Sequence, residues 1–180
     1  MGLDHGGGDL SSLAPRLWVA AWAAQVQAGI DAAERLVTEG VCSSTVCMLL
    51  QMVFEKLTKM AYCLGGSTFP REHGCVEYLI RVLKRSPQRK SVYLPNRDVL
   101  ELVLDLEALN PSVAKAKRAL DPSRVVPQLE YPWEDMDAGR VMSPATDLRI
   151  LTRLQHPQDQ TLQRTILFAK FLANNLPDLV

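Results

Sequence analysis

Charged side chains interrupt an otherwise apolar stretch at residues 52 to 66, MVFEKLTKMAYCLGG, and they are the first candidates for chemistry. Glu55 and Lys59 have the i,i+4 spacing at which a helix brings two side chains together as an ion pair. On an exposed helix face such a pair adds only about 0.2–0.5 kcal/mol. Periodicity alone therefore indicates a solvated polar face. Whether these charges handle a nucleotide or RNA depends on the rest of the sequence.

A second group of charges is basic and lies at the end of the predicted third helix. Its members are Arg81, Lys84, Arg85, Arg89 and Lys90. A basic cluster at the end of a helix can bind phosphate, or it can be solvated surface that favours the negative end of the helix dipole. The whole chain has 20 basic and 20 acidic residues, so overall charge does not attract it to duplex nucleic acid. Only a local patch can do so.

No metal or cofactor site is predicted. The four cysteines, Cys42, Cys47, Cys63 and Cys75, form no CxxC pair and follow no signal peptide, which indicates free thiols in a cytoplasmic protein. No apolar run reaches the roughly 18 residues that a membrane span needs. We expect a protein with no metal, no cofactor and no membrane segment.

The elements that would position these residues are helices. Apolar residues make up 47% of the chain and aromatic residues 6%, with little sign of alternating strands. We expect a disordered tail at residues 1 to 13 and one domain at residues 14 to 180. Its fold class is predicted to be all-α: an antiparallel up-and-down bundle of four to five main helices with a proline-rich loop before the last helix.

Helical periodicity predicts each of these helices in turn. The first runs from Pro15 to about Thr38 and ends at Gly40, and the second is capped by Ser43 and Ser44. The third runs from about Arg71 to Lys84 and is broken at Pro87. Asn96 is the expected cap of the fourth, which continues or resumes to Leu120. The last spans about residues 158 to 176. Four prolines between residues 121 and 147 exclude a long helix there, and Tyr131 and Trp133 are expected to dock this loop on the bundle.

With the helices placed, the chain resembles the HEPN family of helical bundle domains. The second helix, LLQMVFEKLTKMAYCLGG, is similar to that family's Gln-x-x-x-Glu-Lys-x-x-Lys helix, with Gln51, Glu55, Lys56 and Lys59 in the matching places. His73 stands where the family often has a histidine opening its third helix. LEYPW, followed by QTLQRTILFAKFLANNL, is similar to its proline-containing turn and closing helix. The resemblance implies a dimeric bundle from a toxin–antitoxin or defence system, often paired with a minimal nucleotidyltransferase.

The resemblance also implies a possible activity, metal-independent RNA cleavage by an Arg-x4–6-His motif. Arg149 and His156 match this motif with six intervening residues. An imidazole can move the proton of a 2′-hydroxyl, and a guanidinium can stabilise the charge on the attacked phosphate. The alternative is a surface Arg149 and a capping or buried His156, since Pro157 directly follows the histidine and disfavours helical backbone there.

Three functional hypotheses follow. The chain is a nucleotide- or RNA-associated module that uses Gln51, Glu55, Lys56, Lys59 and His73. Alternatively, it is a metal-independent endoribonuclease that uses Arg149 and His156. The third possibility is a protein-interaction bundle without a polar cleft. In each case we expect a homodimer, with a nucleotidyltransferase-type antitoxin as a further candidate partner.

Overall fold

The fold is a helical bundle, as the sequence predicts. The computed structural model describes residues 15–41, 43–67, 69, 75–120, 127–135, 137, 139–154 and 159–180. Within these residues the helices are α1 (Pro15–Thr38), α2 (Ser43–Leu64), α3 (Val76–Leu83), α4 (Pro87–Tyr93), α5 (Arg97–Ala108), α6 (Pro111–Leu120), α7 (Pro144–Asp147), α8 (Arg149–Leu154) and α9 (Thr161–Leu179). A 3₁₀ turn, Leu94–Asn96, joins α4 to α5. No helix in this part of the chain is long and apolar enough to cross a membrane.

Helix α2 lies at the centre of the bundle. It packs against α1, α3, α5, α7, α8 and α9, so side chains are buried on most of its circumference. Phe54 is fully buried and its ring lies 6.3 Å from that of Phe168 on α9. A central helix that is covered on several sides has little surface left for solvated charges. This position decides the environment of the Glu55 and Lys59 side chains.

Helix α1 runs antiparallel to α2 and approaches it closely. Its bounds and its left-handed end at Gly40, with φ +67°, agree with the prediction. Near the middle of α1, a Cβ atom on Gly29 would lie 2.6 Å from Cγ2 of Val53, so glycine permits the close contact. The apolar side chains of Leu17, Ala21 and Ala24 in the first part of α1 are exposed. The inner face is formed by Val26, Ile30 and Ala33.

Helix α9 packs against both α1 and α2. Glu34 on α1 accepts a hydrogen bond from Nζ of Lys170 at 2.6 Å, and α9 buries Ile166, Ala169 and Leu172 in the shared core. Ring contacts extend the packing to the first turns of α1. Trp18 stacks on Trp22 at 6.0 Å, and both meet Phe69 edge-on.

Two helix boundaries differ from the prediction. Pro87 does end the third helix, but it also begins α4, where the Ser86 hydroxyl accepts a hydrogen bond from the backbone N–H of Arg89. Asn96 precedes α5 without capping it, because its side chain donates to the carbonyl of Val92 at 2.9 Å. The expected start of the third helix at Arg71 lies outside the described residues. Within them, α3 begins at Val76.

The segment before the last helix contains a small hairpin instead of a plain loop. Strands β1 (Trp133–Asp135) and β2 (Arg140–Met142) pair antiparallel, with Trp133 opposite Met142. Trp133 is buried against the bundle, whereas Tyr131 is exposed, so only one of the two predicted anchors docks. The chain is also held by the backbone N–H of Leu129, which donates to the carbonyl of Leu109.

Candidate functional site

Three polar residues of the motif on α2 form a buried row. Gln51, Glu55 and Lys59 are 2%, 6% and 7% exposed. The interpretation of these charges as a solvated face is therefore wrong. The reason is the central position of α2, because Cys75 before α3 and Asn110 after α5 contact the side of the helix that carries the row.

Glu55 and Lys59 do form the predicted i,i+4 ion pair. Oε1 of Glu55 accepts a hydrogen bond from Nζ of Lys59 at 2.7 Å. The same Nζ lies 5.5 Å from the ring centroid of Trp22, which reaches across from α1. Surface ion pairs contribute only tenths of a kcal/mol to the free energy of unfolding. This pair differs because it is buried, so removal of one partner leaves a desolvated charge.

The row continues to the junction of α5 and α6. The side-chain amide of Asn110 donates to Oε1 of Gln51 at 3.4 Å, and its Oδ1 accepts from the backbone N–H of Ser112. Nε2 of Gln51 is buried and has no hydrogen-bond partner among the described residues. This end of the row is thus fixed to the first turn of α6, with a buried amide donor incompletely satisfied.

Glu107 on α5 joins the row to the beginning of α3. Its Oε1 accepts hydrogen bonds from the backbone N–H groups of Cys75 and Val76 at 2.8 and 2.9 Å. The carboxyl thus caps a helix that is distant in sequence, at the positive end of the helix dipole. Burial raises the pKa of the Glu107 carboxyl, and the charges of Glu55 and Glu77 add to the rise, whereas the two backbone hydrogen bonds oppose it.

Cys75 lies between the two acids. Its Sγ is 3.9 Å from the carbonyl oxygen of Glu55. Burial, reinforced by the negative charges of Glu107 and Glu55, raises the pKa of the Cys75 thiol to about 12. A thiol that stays protonated at neutral pH is a poor nucleophile. We therefore assign Cys75 a packing role.

These residues form one polar seam, which we define as Gln51, Glu55, Lys59, Cys75, Glu107 and Asn110. The sequence identified its members on α2. It did not identify Glu107. A signal was present, since Glu107 follows Val103 by four residues and so falls on the apolar side of α5. Asn110 and the contact with Trp22 carried no comparable signal.

Two predicted ligand-binding residues do not join the described seam. Lys56 is only half-buried, and its Nζ donates to the carbonyl of Met52 at 3.4 Å. Burial lowers the pKa of the Lys56 amine, with the charge of Glu55 acting in the opposite direction. His73 lies outside the described residues. The next described residue is Cys75, two residues later, which belongs to the seam.

Of the two predicted catalytic residues, the structure describes only Arg149. Arg149 is exposed at the first residue of α8, and the helix is anchored in the core by Leu151 and Leu154. His156 lies outside the described residues. A surface groove between α1 and α9, lined by residues that include Glu34, Arg35 and Gln163, involves neither Arg149 nor the seam.

Comparison of the chain with models of protein families, with curated proteins and with solved structures gives no match.

Proposed function

We propose that the chain is a nucleotide- or RNA-associated helical bundle module of the HEPN type, serving a toxin–antitoxin or defence system. The observation that carries this proposal is the polar seam. Three of the four α2 residues through which the chain resembles that family are buried together, and the backbone carbonyl of one of them, Glu55, contacts Cys75 just before α3.

A buried polar seam is not the most stable way to fill the interior of a helical bundle. Well-packed apolar side chains in place of a buried ion pair are often neutral or more stable by about 1–4 kcal/mol. Buried groups with shifted pKa values, such as Glu107, also concentrate at functional sites. The seam therefore favours a function that needs a fixed geometry at this point of the bundle.

The geometry that the seam fixes is the entry to α3. Glu107 holds the N–H groups of Cys75 and Val76, and Cys75 also contacts the α2 backbone beside Glu55. His73 precedes Cys75, a member of the seam, by two residues in the sequence. In this proposal Gln51, Glu55 and Lys59 position the site, and Lys56 and His73 bind the ligand.

A second candidate function is metal-independent RNA cleavage by Arg149 and His156. The observation that favours it is the exposure of Arg149 at the start of α8, which leaves the guanidinium accessible to a phosphate. We further propose that the active species is a homodimer, with a nucleotidyltransferase-type antitoxin as its partner.

One set of measurements separates these functions. Purified protein is incubated with a fluorescein-labelled pool of mixed-sequence 20-nucleotide RNA in EDTA, and binding is followed by anisotropy with ATP as a competitor. The proposed function predicts saturable binding of the RNA, or of ATP in the reciprocal titration. Absence of both would contradict it and favour a protein-interaction bundle.

Cleavage is measured in the same reactions by gel electrophoresis. Arg149→Ala and His156→Ala are compared with the wild type and with Arg140→Ala, a control that also removes an exposed arginine. Cleavage that both test variants lose and the control keeps would establish the nuclease function. Binding without cleavage would leave the non-catalytic module. Light scattering of the same samples gives the oligomeric state.

A further inference from the structure

The turn between α3 and α4 carries a concentrated positive charge. Residues 78 to 97 contain six of the chain's 20 basic residues and no acidic residue. Five of them surround the turn, and we call this group the basic corner: Arg81, Lys84, Arg85, Arg89 and Lys90. In a chain of zero net charge, such an excess creates a local field that the rest of the molecule does not.

Most of these charges make no ion pair within the part of the chain that the structure describes. Arg81, Lys84, Arg85 and Lys90 are exposed, and no carboxylate oxygen of the described residues lies within 4 Å of their charged groups. Arg89 is the exception, because it donates to the backbone oxygen of Val180, the last residue of the sequence, at 2.9 Å. The other four members of the corner therefore make no ion pair within the described residues.

The acidic residues that flank the corner in sequence do not neutralise it. Asp98 is held by a bidentate contact with Arg164 on α9, at 2.5 and 3.0 Å. Glu77 is exposed one turn before Arg81 and makes no ion pair with it within 4 Å. Structural ion pairing thus does not explain why the basic residues are concentrated here.

Aromatic rings accompany the charges. Tyr62 and Tyr78 stack with ring centroids 3.7 Å apart, and the guanidinium carbon of Arg81 lies 6.0 Å from the Tyr78 centroid. Nζ of Lys84 lies 4.6 Å from the centroid of Tyr93 on α4. All three tyrosines are partly exposed. Basic side chains interleaved with accessible aromatic rings are the arrangement by which proteins hold a single strand, through phosphate contacts and base stacking.

We infer that the basic corner is a binding surface for single-stranded RNA. This inference rests on the proposed function and assigns it a contact surface outside the seam. A single strand is favoured over a duplex because only unstacked bases can reach the tyrosine rings, whereas an A-form duplex presents mainly its backbone. Arg81, Lys84, Arg85 and Lys90 contact phosphates, and the tyrosines accept bases.

The test compares two variants that lose the same charge. The corner variant is Lys84→Gln/Arg85→Gln/Lys90→Gln, and the control is Arg35→Gln/Lys115→Gln/Arg140→Gln, which removes three exposed basic residues elsewhere. All six positions are at the surface, and circular dichroism confirms that both variants are folded. Binding of a labelled 20-nucleotide single-stranded RNA is measured between 50 and 200 mM salt, beside its duplex form and beside vesicles of phosphatidylserine and phosphatidylcholine.

Loss of three phosphate contacts makes the negative slope of log K, the association constant, against log salt concentration shallower by about 2. It also weakens binding by about 10- to 100-fold at 0.1 M salt. We expect this result for the corner variant and a near wild-type slope for the control. Equal binding by both variants, equal loss in both, or tighter binding of the duplex would overturn the assignment while RNA association stands. If the wild type binds vesicles but neither RNA nor ATP, the proposed function fails together with this inference.

Discussion

The buried pair on α2 allows a quantitative test of the seam. In the variant Glu55→Gln the ammonium group of Lys59 keeps its burial but loses the carboxylate that lies 2.7 Å away. Trp22, whose ring centroid lies 5.5 Å from the same Nζ, still favours the cation. The perturbation changes the shape of the side chain very little, so it isolates the charge.

The expected cost follows from burial. Breaking a buried ion pair by removal of one partner typically costs about 3–5 kcal/mol, compared with about 0.2–1 kcal/mol for an exposed pair. Both side chains are more than nine-tenths buried, and glutamine can still accept a hydrogen bond. We therefore expect Glu55→Gln to lower the free energy of unfolding by about 3 kcal/mol. Lys59→Met should cost a similar amount.

The double variant Glu55→Gln/Lys59→Met removes both charges and should cost less than the sum of the single changes by about 2–3 kcal/mol. Urea unfolding followed by circular dichroism at 222 nm gives all four free energies. If the two changes add to within about 0.5 kcal/mol, the side chains do not interact in solution and the buried pair is refuted. A wild-type free energy for Glu55→Gln alone would refute it equally.

Three further predictions concern the neighbouring groups. Because the pKa of Glu107 is raised above its ordinary value of 4.5, its contribution to stability is largest below pH 4.5 and is lost as pH rises through the folded-state pKa. Urea unfolding at pH 4 to 8 gives the free energy of unfolding of the wild type and of Glu107→Gln. The wild-type value minus the variant value should decline as pH rises, and an increase would contradict burial as the cause of the raised pKa. Gly29→Ala should lower stability by about 1 kcal/mol in thermal unfolding, since overpacking against Val53 outweighs the gain in helix propensity. In a Val53→Ala background the same change should stabilise by up to about 1 kcal/mol, and an unchanged sign would show that the contact with α2 is not the cause. Iodoacetamide at pH 8 should label Cys75 about 100-fold more slowly in the folded protein than in urea, because burial raises its pKa and restricts access, and peptide mass spectrometry that finds equal rates would contradict the burial.

Much of the fold could be predicted from local sequence. The apolar period and Gly40 give the bounds of α1, and Ser43 and Ser44, the first two residues of α2, give its beginning. Of the helices that were missed, α4 had a local signal as well. Ser86-Pro87 is the same cap-then-proline pattern that begins α6 at Asn110-Pro111 and α7 at Ser143-Pro144. Pro87 was taken only as the end of one helix, although it also begins the next.

The burial of the seam could not be predicted in the same way. Periodicity gives the angle of Gln51, Glu55 and Lys59 around α2, but it does not show how many neighbours surround that helix. Burial of the row results from α3 and α5, whose positions depend on contacts distant in sequence, such as that between Glu107 and Cys75. Hydrophobic patterning assigns charges to the surface by default, and a central helix is the case in which this default is wrong.

Association with RNA is the central claim, and photo-crosslinking tests it most directly. A 20-nucleotide RNA that contains 4-thiouridine is irradiated with the wild-type protein, and crosslinked peptides are identified by mass spectrometry. We predict saturable crosslinks concentrated in peptides from residues 78 to 97, with Tyr78 and Tyr93 among the modified side chains. No crosslinking above that of an unrelated neutral protein would contradict the claim.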